Sequence, residues 1–142
     1  MSKVSLINML IGFCLLFLSA CAGLFVVNQT TLILEAKQNL ITWQNILQKS
    51  AHGHTGLFAM IHISFALTLP YSRLKHKIKI LQTVGLSSGS IAISFLLFIR
   101  SNVERNKDFD LLGIIIGTCL SFTLIAIFTH CVGLAIKVFE KN

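Results

Sequence analysis

A chain of 142 residues that is 54% hydrophobic and 12% charged is too apolar for an ordinary soluble domain, where roughly 25% of residues are charged. Its length suits one compact unit and leaves no room for a second domain. The formal charge of +7 sits in clusters between apolar runs, which excludes a nucleic-acid surface and suits the cytoplasmic face of a membrane.

The first apolar run, residues 4–27, exceeds the ~20 residues needed to cross a bilayer and predicts a first span. Lys3, an apolar core and Leu18-Ser19-Ala20-Cys21 also fit a bacterial lipoprotein signal that ends at a lipidated cysteine. The apolar run continues through Leu24, Phe25, Val26 and Val27, which favours a retained helix. Residues 28–49 are too polar to span. Leu32, Ile33, Ala36, Leu40, Trp43 and Leu47 recur at helical spacing there, which predicts an amphipathic helix in the interface between spans one and two, with Trp43 at headgroup level. A loop helix packed on the bundle is the alternative.

The second span is expected at about 53–70, with Ser50 as its N-cap and Pro70 marking its end. Arg73, Lys75, Lys77 and Lys79 follow with no acid among them, which places this loop in the cytoplasm. The third span is expected at about 80–99 and the fourth at about 111–136, with Lys137 and Lys141 after it. The fold class is therefore all-α: a four-helix transmembrane bundle in the bacterial inner membrane, both termini cytoplasmic, its partners the lipid bilayer and further membrane subunits or copies of itself.

Each span carries a stripe of small or polar residues at spacings of three and four, which share one helical face. The stripes are Asn8, Gly12, Ser19 and Gly23; Thr55, Ala59, His62 and Ala66; Thr83, Ser87, Ser90 and Ser94; and Cys119, Thr123, Ala126 and His130. Such faces let backbones approach and hydroxyls bond across helices. Gly85-x-x-x-Gly89 and Gly113-x-x-x-Gly117 add close-contact sites. Cys14, Cys21, Cys119 and Cys131 all lie in apolar runs without a C-x-x-C pair, so they read as small packed side chains.

Histidine in hydrocarbon is costly, so His54, His62 and His130 raise a functional question. They are the intramembrane candidates for axial ligation of a haem b, and His52 with His54 for a divalent metal such as copper or zinc; a cofactor-free chain stands equally beside both. The bland readings are a boundary position for His52 and His54, a bond from His62 to Ser87 or Ser90, and, for His130, a bond to Thr123 or snorkelling toward the inner face. His76 lies among lysines and is solvated. No H-E-x-x-H, G-x-S-x-G or phosphate loop is present, and Glu35, Glu104, Asp108, Asp110 and Glu140 all fall outside the spans. An enzyme, a proton pump and an ion-coupled carrier lose support accordingly.

The stretch Ala51-His52-Gly53-His54-Thr55-Gly56-Leu57-Phe58 resembles the His-x-His helix start of catalytic-subunit-like membrane proteins of the haem–copper oxidase superfamily, and is similar to small four-helix proteins that share this helix. The resemblance is carried by the short stretch of residues 51–58. It implies a low-spin haem ligand on the outer side at His54, with His52 as the alternative. The chain departs from that family in being far shorter, in lacking a histidine cluster for copper and in lacking a tyrosine beside one. Oxygen reduction is not implied.

Overall fold

Four helices account for almost all of the computed structural model, which describes residues 1–36, 42–103 and 110–140. They are α1 (Lys3–Glu35), α2 (Trp43–Thr68), α3 (His76–Ser101) and α4 (Leu111–Phe139). No strand occurs among the described residues. Three of the helices, α1, α3 and α4, are long and apolar enough to cross a membrane. The fourth, α2, has the length but carries Gln44, Asn45, Gln48, Lys49, His52 and His54 in its first turns.

The expected interfacial helix over 28–49 is not a separate element. Asn28 to Glu35 continues α1, because that stretch contains no proline or glycine to break the i→i−4 ladder. Trp43 to Lys49 opens α2, whose N-cap is Thr42 rather than Ser50: the Thr42 hydroxyl accepts from the Asn45 amide at 3.3 Å. Lys37, Gln38 and Leu40, which belonged to that expectation, lie outside the described residues, as does Lys141.

At its other end α2 stops as expected. A 3-10 turn, Leu69–Tyr71, holds Pro70 where the missing amide costs nothing. Helix α3 begins a turn earlier than expected and contains one turn of π-helix, Ala92–Leu96. At the far end of α3 Arg100 pairs with Asp110, the N-cap of α4, and stacks over the Trp43 ring at 5.0 Å.

Cross-helix contacts set the topology. Asn8 meets His62 and Ser19 meets His52, so α1 and α2 are antiparallel. Thr55 meets Ser94 and His62 meets Ser90, so α2 and α3 are antiparallel too. Gln82 meets Thr129 and Ser88 meets Cys119, which turns α4 back along α3. The chain thus runs up and down through the bundle, with α2 innermost. Large apolar side chains point outward on every helix, among them Phe13, Phe17 and Leu24 on α1 and Phe122, Leu124 and Phe128 on α4. The inside mixes hydroxyls and amides with apolar side chains such as Phe58, Phe65 and Leu86, and an apolar outside over hydrogen-bonded polar groups is the distribution hydrocarbon selects.

Glycines make the close approaches. A Cβ built on Gly85 would stand 3.1 Å from the Phe122 carbonyl oxygen and 3.2 Å from the Ala126 methyl, so the α3–α4 contact depends on its absence. Gly89 admits Thr123 in the same way. Gly133 admits the loop after α2, whose Arg73 amide donates to the Gly133 carbonyl at 3.2 Å.

Candidate histidine sites in the bundle

His62 lies at the meeting point of three helices and is wholly buried. Its Nδ1 is 2.9 Å from Asn8 Oδ1 on α1, and its Nε2 is 3.0 Å from Ser90 Oγ on α3. Asn8 uses its amide protons elsewhere, donating to the Val4 carbonyl at 3.0 Å and to Thr83 Oγ1 at 2.8 Å. Its oxygen can therefore only accept, which puts a proton on His62 Nδ1 and makes Nε2 of the neutral ring the acceptor for the Ser90 hydroxyl. The single Ser90 proton then goes to Nε2, and the Leu86 carbonyl 3.0 Å away is the acceptor it would turn to otherwise. Asn8, His62, Ser90 and Thr83 thus form one buried network in which each polar side chain has a partner.

His130 lies farther toward the basic loop. Its Nε2 is 2.8 Å from Thr68 Oγ1, six residues or about 9 Å beyond His62 along α2. The Phe65 ring stacks on it at 4.2 Å between centroids. Thr123, the partner expected from the shared stripe, instead donates to the Gly85 carbonyl across α3 at 2.9 Å. Lys79 reaches the Leu69 carbonyl at 2.8 Å beside this cluster.

His52 and His54 do not converge. Two residues apart on a helix, they point about 200° apart around its axis. His52 packs over Gly23 of α1 and donates from Nδ1 to the Ser19 carbonyl at 2.9 Å, while Ser19 Oγ returns a bond to the His52 carbonyl at 3.2 Å. His54 is exposed and donates from Nδ1 to the Ser50 carbonyl at 2.8 Å, leaving Nε2 facing outward. Among the described residues no group of three or more His, Cys, Asp or Glu side chains comes together.

A haem needs an imidazole nitrogen opening onto a cleft wide enough for the macrocycle. His62 does not fit, since both ring nitrogens are engaged inside the packed junction. His130 does not fit either, because Thr68 engages its Nε2 and its Nδ1 is buried inside the packed helices. His54 offers an outward nitrogen, with the opposite nitrogen held by a backbone carbonyl as ligating histidines commonly are; His52 is held by the Ser19 carbonyl in the same way but is half-buried against Gly23.

No protein-family model, curated protein or solved structure matches the chain. The sequence stripes identified His62, Ser90, Thr83 and His130 as inward residues. They passed over Gln82, buried on α3 and donating to Thr129 Oγ1 at 3.0 Å, because it stands one position off the Thr83 stripe.

Proposed function

We propose that the chain is a four-span protein of the bacterial cytoplasmic membrane, both termini cytoplasmic, that works as an accessory or assembly subunit without catalytic activity of its own. In this reading the buried histidines are structural. Helix α2 crosses with the others because it is packed between them and, at 26 residues, reaches about 39 Å. Arg73, Lys75, Lys77 and Lys79 support the orientation. A reporter fused after Lys79 should report cytoplasm and one fused after Asn102 the outer face; the reverse result would overturn the arrangement.

The observation that carries the assembly reading is a pair of outward glycines. Gly53 on α2 and Gly117 on α4 are exposed, and a Cβ at either would meet nothing within 4 Å. Glycine inside a helix costs about 1 kcal/mol relative to alanine. The chain's own packing uses Gly12, Gly85, Gly89 and Gly133 but gives these two no return. Close approach of a neighbouring helix would give it.

Solubilised in mild detergent, the protein should have a protein mass above the 15.7 kDa of one chain and no Soret band or stoichiometric metal. Gly117→Leu and Gly53→Leu together should release the single chain. A monomeric parent protein would remove the assembly reading. A haem spectrum lost in His54→Ala would favour the second reading, that His54, through its outward Nε2, ligates a haem or metal at the membrane boundary.

A further inference from the structure

We propose that the junction where α2 ends, α3 begins and α4 passes holds bound water, shared between His130 Nδ1 and Gln82 Oε1. Both atoms are buried without a hydrogen-bond partner among the described residues, on side chains that are 5% and 2% exposed. They belong to one locality. Gln82 Nε2 donates to Thr129 Oγ1, the neighbour of His130, and Lys79, one turn before Gln82, donates to the carbonyl of Leu69, the neighbour of Thr68.

The proton assignments make both orphans acceptors. With the Thr68 hydroxyl proton on the Ser64 carbonyl at 2.7 Å, Thr68 accepts from His130 Nε2–H and Nδ1 keeps a bare lone pair; in the other tautomer Nδ1–H would donate to the same water. Thr129 likewise gives its proton to the Ala126 carbonyl at 3.0 Å, so the Gln82 amide nitrogen faces Thr129 and Oε1 is left over. Two acceptors repel an anion. The Lys79 ammonium beside them repels a cation. A small neutral donor of two hydrogen bonds meets both requirements, and water is that donor.

The basic end of the bundle is the nearer one. The segment after α2 lies over this end of α4, with Arg73 N–H on the Gly133 carbonyl and the Arg73 side chain on Glu140 at 2.6 Å. Helix packing closes the other direction, where the His62 network is complete in itself. His130 is thus a hydrated imidazole and His62, one network deeper, a dry one.

The test uses full-length protein with histidine labelled in nitrogen-15, in detergent or lipid, and magnetisation transfer from water to the ring nitrogens. Resonances are assigned by single histidine substitutions. Transfer to His130 with at least a fivefold smaller signal at His62 is expected. No transfer at His130 would overturn the proposal, and equal transfer at both rings would replace it with general water penetration, which overturns it too. Gln82→Met should cut the His130 signal at least twofold; an unchanged signal would show that the two acceptors do not share water.

Discussion

His62→Ala should be the most damaging of the histidine substitutions, lowering stability by about 2–5 kcal/mol, while His54→Ala should stay within about 0.5 kcal/mol of the parent protein. Two losses combine at His62. A fully buried ring is removed from a packed junction, which leaves a cavity. Asn8 Oδ1 loses its partner and Ser90 keeps only its local carbonyl, both inside the buried junction. His54 is exposed and bonds only its own preceding turn, so its loss removes no contact between helices. Thermal melting in detergent measures both. A double-mutant cycle sharpens the claim: Asn8→Ala and His62→Ala together should cost less than the sum of the single changes, by about 0.5–3 kcal/mol. Additive effects would mean that the two side chains do not act as one network. Equal melting of His62→Ala and His54→Ala would show that His62 does not hold the helices together.

The inner face of each helix was legible in the sequence because small and polar residues recur at three and four among large apolar ones. Thr55, Ala59, His62 and Ala66 are all buried, and Ser90 is the hydroxyl that meets His62. Pro70 placed the end of α2 to within a turn. What periodicity does not carry is register between distant helices. Asn8 and His62 are 54 residues apart, and nothing local says that antiparallel packing of α1 and α2 brings them level. The same gap hid Thr68 from His130 and left Thr123 as the nearer guess. The apolar spacing over 28–49 was real, but it belonged to the end of one helix and the start of the next. Nothing in Ala92 to Leu96 signals a π-turn by composition, and none was expected there.

The close approach of α1 and α2 at Gly12 makes the second large prediction. A Cβ on Gly12 would lie 2.6 Å from Ile63 Cγ1, 3.0 Å from the Ala59 carbonyl oxygen and 3.2 Å from the Ile63 amide nitrogen. The isoleucine side chain can turn away, but the two backbone atoms belong to the middle of α2 and cannot yield without the helix moving. Gly12→Ala should therefore cost about 1–3 kcal/mol, although alanine is the better helix former by about 1 kcal/mol. Gly12→Leu should cost more, because Asn8 stands one turn away on the same face and would be carried off His62 as α1 is pushed out. The fitting control is Gly56→Ala, where the nearest atom is the Ser19 hydroxyl oxygen at 3.2 Å, on a side chain that can shift by a few tenths of an ångström. That change should be close to neutral. Melting of the two alanine variants side by side separates a steric seam at Gly12 from a general intolerance of added methyls. If Gly12→Ala melts at or above Gly56→Ala, α1 and α2 are not held at the separation that the Asn8–His62 bond requires.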